Sequence, residues 1–298
     1  MTLSTIPSTL PPLLVSSMKM FESPLARKLS NRSKLAYTTA IQFYRAKRHW
    51  TNLLSQHAHQ KSNEYLPSVV ARHQSLLMKK LGENNEHLQR QKITNLRVAS
   101  STMDGVVIQP GQTFSYWDLV GKATEKKGYA KGMLLARGHV VEGVGGGLCQ
   151  LSNLLYWMFL HGPFEIVERY HHSFDVFPDS GRVLPFGSGA TVFYNYVDLV
   201  VKNTSDQPIQ LKLWLTDSHL KGQLVTTSPL KEKYKIREEN HLFLKWGENF
   251  FRYNELYKDT YVEGKLKDTQ FVVKNFAPVL YDVNEEDLRE KGYRVEVV

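Results

Sequence analysis

The one cysteine of this 298-residue chain, Cys149, lies in the run Gly145-Gly146-Gly147-Leu148-Cys149-Gln150-Leu151-Ser152. A thiol attacks as its thiolate, and three glycines ahead of it leave the backbone free to bend sharply and bring bare amides close to a ligand. The residues from Gln150 to His161 read as a helix, which puts the thiol at or just before a helix N-terminus. Unpaired amides and the positive dipole end favour a thiolate there. A cysteine nucleophile needs a base, most often histidine, and Glu168-Arg169-Tyr170-His171-His172-Ser173-Phe174-Asp175 offers two. Asp175, Asn195 and Asp198 are each able to orient an imidazole, and their spacing does not rank them. Arg169 suits a bidentate hold on a substrate carboxylate, with an ordinary surface charge as its plainer use. A packed cysteine beside a tight turn accounts for the same run without chemistry, because free cysteine is among the most buried residue types.

The elements around these residues predict an α+β fold. Pro, Ser and Thr dominate residues 1–24, an expected disordered N-terminus. Residues 25–90 are expected to form a basic helical region, with an apolar stripe of Leu29, Leu35, Ile41, Phe43, Trp50 and Leu53 among Lys28, Arg32, Lys34, Arg45, Lys47 and Arg48. A core domain is expected over 91–216, with a mainly antiparallel sheet and a cysteine-bearing helix. It contains a helix around Asn95–Ala99 and strands at Val106–Ile108, Met133–Ala136, His139–Glu142, Phe164–Glu168, Thr191–Lys202 and Ile209–Thr216. Residues 217–298 are expected to be a small β-rich tail of short strands, at Tyr234–Ile236, His241–Trp246, Tyr261-Val262 and Gln270–Val273.

A single cysteine excludes an intrachain disulfide and a Cys-rich zinc site. His57-x-His59 has no third ligand at convincing spacing, so no metal is expected, and no cofactor. The formal charge of +9 favours anionic partners. Residues 25–55 suit an anionic membrane surface, with a solvated helix face as the plainer alternative; nucleic acid ranks last, because no binding motif accompanies the charge. No run approaches the eighteen or so apolar residues of a membrane span. Residues 1–20 place no basic residue before their apolar patch, so the expectation is a cytoplasmic protein that touches the inner leaflet.

The run Gly145 to His161 resembles the signature of the VanW family. Asn95-Leu96-Arg97, Pro110-Gly111-Gln112-Thr113-Phe114-Ser115, His172 before Phe177-Pro178, Ala190-Thr191-Val192, Val197-Asp198-Leu199 and Lys202-Asn203-Thr204 follow that family's pattern in order. The resemblance spans about 95–216. It implies a link to peptidoglycan metabolism or glycopeptide resistance, with L,D-transpeptidase-type acyl transfer through the motif cysteine. On that footing Cys149 is the nucleophile, His172 the base, and the Gly145, Gly146 and Gly147 amides stabilise the oxyanion. The partner is a peptidoglycan stem peptide or its precursor. The alternative is a non-catalytic binder of that precursor or of an anionic membrane surface. Gly189 departs from the pattern, standing where the family usually carries an acid before Ala190-Thr191.

Overall fold

A computed structural model of the chain describes residues 34–78, 86–136, 139–171, 174–175 and 184–297. The expected N-terminal disordered stretch 1–24 and the proposed base His172 lie outside the described residues. Helix α1 (Lys34–Leu54) leads to strand β1 (Ser68–Leu76), then helix α2 (Glu86–Met103) and the short strands β2 (Val107–Ile108) and β3 (Thr113–Ser115). The short helix α3 (Tyr116–Val120), the hairpin β4 (Lys131–Ala136) with β5 (His139–Val144), helix α4 (Cys149–Leu160) and strand β6 (Phe164–Glu168) complete the first half. Next come β7 (Val200–Asn203), β8 (Ile209–Leu215) and β9 (His219–Thr226). The last part holds β10 (Glu232–Trp246), β11 (Asn249–Val262), β12 (Lys265–Pro278), helix α5 (Glu285–Glu290) and β13 (Arg294–Val297).

The strands form four sheets, ordered β1-β9-β8-β2, β3-β7-β6, β4-β5 and β12-β11-β10-β13; all named pairs are antiparallel except β10 with β13. The architecture is the α+β class expected from the sequence. β1 arises within the stretch expected to be helical, because Ser68-Val69-Val70-Ala71-Arg72-His73 alternates in exposure and pairs with β9 across more than a hundred residues of chain. β1 and β9 thus bring residues from both sides of 91–216 into the same sheet as β2 and β8.

Helix α4 is the centrepiece of the core. Leu151, Leu154, Leu155, Tyr156, Met158, Phe159 and Leu160 are all buried, and the helix lies against β1 and β9. Gly222 on β9 lets it come close: an added Cβ there would stand 2.7 Å from the Met158 methyl and 2.8 Å from Leu154. Being apolar nearly all round, α4 has to be covered on every side.

Two expected features of the β structure differ. Thr191–Lys202, expected as one alternating strand, is strand only within Val200–Asn203; Asn195 takes a left-handed conformation (φ 55°), and Phe193 bridges Val197 to make a tight reversal. The tail strands are long instead of short, because β10 and β11 pair from Glu232↔Val262 to Trp246↔Asn249. Charged side chains pair across the ladder, as Arg237 does with Asp259 at 3.0 Å. Phe243, Phe250, Leu288 and Val295 form a second, smaller core there.

Candidate functional site

The glycine turn is built by contact as much as by flexibility. Gly145 (φ 81°) and Gly147 (φ 89°) occupy backbone conformations that side chains resist. A Cβ on Gly146 would stand 2.1 Å from the carbonyl carbon of Gly132 on β4, so turn and strand can cross only as two bare backbones. Asn95, fully buried on α2, holds the crossing: its side chain donates to the carbonyls of Gly146 (2.8 Å) and Ala130 (3.0 Å) and accepts from the Ala130 amide (2.7 Å). The Gly145 amide donates to Ala130 and the Gly146 amide to the carbonyl of Gly143. Two of the three expected oxyanion donors are therefore spent on the turn.

Cys149 is the first residue of α4, as the sequence leads one to expect. No side chain caps the helix; the Gln150 amide donates to the Gly147 carbonyl and the Leu151 amide to that of Leu148. The half-buried cysteine packs at the edge of the main core. Burial pushes its thiol up from the ordinary range, while hydrogen bonding with the backbone of Val192 and of Cys149 itself pulls the other way. Burial wins, so the resting thiol is neutral at pH 7.

One face of α4 clamps the segment 187–192. The Cys149 Sγ lies 4.0 Å from the Val192 carbonyl, the Ser152 hydroxyl donates to the Ala190 carbonyl at 2.6 Å, and Asn153 Oδ1 accepts the Ala190 amide at 2.7 Å. Tyr156, one turn on, lies under the Arg169 guanidinium at 4.9 Å. Positions 149, 152, 153 and 156 share one helix face. On its far side the same segment pairs back, the Thr191 amide donating to the Tyr170 carbonyl at 2.7 Å. Cys149 thus touches the stretch of chain that runs beside Tyr170, two residues before His172.

The other expected site residues have partners within the fold. Arg169 donates to the Gly189 carbonyl from Nε (2.9 Å) and Nη2 (2.7 Å), and to the Gly187 carbonyl. Burial lowers its pKa, and its donors hold a loop where a substrate carboxylate was expected. Asp198 accepts from the Ser115 hydroxyl (2.6 Å) and from the amides of Trp117 (3.1 Å) and Leu199 (2.8 Å), fixing the start of α3. Burial pushes it up to about 6 against those bonds. Asn195 donates to the Arg45 carbonyl on α1. Asp175 pairs with the buried Arg252 at 3.2 Å and accepts from the Tyr281 hydroxyl at 3.1 Å, joining the core to the C-terminal sheet. The imidazole that these three groups were expected to orient, that of His172, lies outside the described residues.

Gly189 has a local reason. A Cβ there would stand 2.6 Å from Asn153 Oδ1, the atom that accepts the Ala190 amide. Ser152 and Asn153 are not among the site residues expected from the sequence, although their spacing from Cys149, three and four residues on, is the available signal. His57 and His59 go separate ways, to Thr113 Oγ1 (2.7 Å) and Asp118 (2.9 Å). Among the described residues no group of three His, Cys, Asp or Glu side chains is placed to hold a metal.

An α+β core in which a glycine turn delivers a lone cysteine to the first position of a buried helix defines the class. The family model for VanW like protein matches residues 91–225. The chain is 31% identical over 205 residues to the vancomycin B-type resistance protein VanW of Enterococcus faecalis (strain ATCC 700802 / V583), covering 68% of this chain and 74% of that protein. It is 34% identical over 118 residues to the uncharacterized protein YoaR of Bacillus subtilis (strain 168), covering 40% of this chain and 37% of that one. No solved structure matches. The chain belongs to the VanW family.

Proposed function

We propose that the chain serves peptidoglycan metabolism, in the setting of glycopeptide resistance that its Enterococcus relative is named for, as a cysteine acyltransferase of the L,D-transpeptidase type. The observation that carries this reading is the placement of the sole cysteine as the first residue of α4, its sulfur on the segment that pairs with Tyr170. Cys149 is the nucleophile and His172 the base. Because burial leaves the resting thiol protonated, the proton is removed within the acyl step. His172 takes the Sγ proton as sulfur bonds the stem-peptide carbonyl carbon. Collapse then breaks the bond to the terminal residue, whose amine leaves with that proton. An incoming amine attacks the thioester carbon, the carbon–sulfur bond breaks, and the amine's proton returns to the thiol through His172. With Gly145 and Gly146 engaged in the turn, Gly147 is left as the oxyanion donor of the three.

The neutral thiol also favours a second reading, a non-catalytic binder of the stem-peptide precursor. The two part on one assay. Wild-type protein incubated with a synthetic stem peptide ending in a D-residue is expected to release that residue, and Cys149→Ser to bind the peptide without releasing it. Release undiminished in Cys149→Ser removes the cysteine from the chemistry. Binding without release by the wild type moves the function to the second reading.

A further inference from the structure

Helix α1 is mounted inside out. Three of its basic and polar side chains face the protein: Arg48 pairs with Glu168, Arg45 Nε donates to the Tyr194 carbonyl at 3.2 Å and lies over the Tyr194 ring at 5.4 Å, and Asn52 donates to Asp118 at 3.2 Å. Its large apolar side chains face out. Phe43 is 65% exposed, Trp50 68%, Leu53 65% and Leu54 86%. With the exposed Ala46 and Lys47 between them, positions 43, 46, 47, 50, 53 and 54 follow helical spacing and make one continuous stripe. A helix that only had to cover the core would turn this stripe inward. A contiguous apolar patch of this kind marks an interaction surface.

We infer that the outer face of α1 docks on an anionic lipid bilayer. Charge complementarity selects this occupant. From residue 23 to residue 63 the sequence contains no Asp or Glu; Arg45, Arg48 and Lys61 are engaged on the body by Tyr194, Glu168 and Ser101, which leaves Lys47 exposed within the stripe and Arg27, Lys28, Arg32 and Lys34 ahead of it in the sequence. A stripe of Trp, Phe and Leu with lysine alongside, set in an acid-free basic segment, is the composition that seats a helix at the headgroup boundary, apolar side down. The ion pair and hydrogen bonds on its inner side orient the face for the surface without calling on the apolar residues. Among the described residues no helix is long and apolar enough to cross a membrane, so contact through this helix lies in the interfacial plane. The inference does not depend on acyl transfer at Cys149.

Co-sedimentation of the full chain with vesicles of equimolar phosphatidylglycerol and phosphatidylcholine, against vesicles of phosphatidylcholine alone, tests it. Binding is expected to the anionic vesicles, to weaken as salt is raised, and to fall by at least about tenfold in the triple variant Phe43→Ser, Trp50→Ser, Leu54→Ser. These side chains are exposed, so the variant keeps its thermal midpoint, and Lys47→Glu gives a smaller loss. Failure of the full chain to bind anionic vesicles overturns the inference, as does undiminished binding by the triple variant. Self-association in sedimentation equilibrium that the triple variant abolishes, with no vesicle binding, assigns the face to a second copy and overturns it too.

Discussion

Two helices of this molecule carry apolar stripes, and they are mounted in opposite senses. On α4 the apolar residues are buried nearly all round; of its polar side chains Ser152 and Asn153 hold the 187–192 segment and Gln150 donates to Ser75 and Leu76 on β1. On α1 Arg45, Arg48 and Asn52 hold the helix to the body, and Phe43, Trp50, Leu53 and Leu54 are left outside. Periodicity fixes which residues share a face; it does not say which way that face points. That depends on whether the body offers partners for the polar face, and here Glu168, Tyr194 and Asp118 do. α4 is therefore a core element whose polar contacts matter for stability, and α1 an attached element whose outward contacts matter only to a partner.

The comparison breaks first at Arg169. Removing its buried guanidinium in Arg169→Ala leaves the Gly187 and Gly189 carbonyls without their donor, and is expected to lower unfolding stability by about 3 kcal/mol or more in urea. A loss below about 1 kcal/mol would mean that the 187–192 clamp is incidental. A pH effect sharpens the same point. The folded-state pKa of Asp198, about 6, stands above the ordinary 3.8, so between those values the folded protein binds more protons than the unfolded one. Stability from this group therefore rises as pH falls from 6 toward 4. Relative to Asp198→Asn, the wild type should gain on the order of 2 kcal/mol over that window; a relative loss would place the carboxylate in a far more polar setting.

Gly189→Ala should cost about 1–3 kcal/mol, since Asn153 must move and release the Ala190 amide. Restoring the family's acid at this position should cost no less, and a stabilised variant would show that the Asn153 contact is loose. The smallest effects belong to α1. Phe43→Ser, Trp50→Ser and Leu54→Ser should each stay within about 0.5 kcal/mol of wild type in thermal or urea unfolding. A cost of about 2 kcal/mol or more at any of them would mean that the side chain is buried in solution and that the contrast between the helices fails.

Much of the central unit was legible because its signals are local. Glycines before a helical run placed Cys149 at the start of α4, and the Gly162-Pro163 break placed β6 at Phe164–Glu168. The turn inside 191–202 was not legible, since Asn195 reads as a strand residue until its side chain bonds the Arg45 carbonyl, 150 positions away. The facing of α1 was hidden for the same reason, with Arg48 finding Glu168 across 120 positions. The site itself divides along this line. The nucleophile's position follows from its neighbours in sequence, whereas the assignments of Arg169, Asp175, Asn195 and Asp198 rested on residue type alone. Each of those four has a partner distant in the chain or a loop carbonyl, which their neighbours in sequence do not announce.

The central claim is that the sulfur of Cys149 forms a bond to substrate carbon. Intact-mass spectrometry of the protein after brief incubation with an activated stem-peptide mimic reads that bond directly. The account predicts a wild-type species heavier by the acyl fragment, absent from Cys149→Ala and lost on treatment with hydroxylamine, which cleaves thioesters. An unshifted wild-type mass, under conditions where the mimic demonstrably binds, would contradict it.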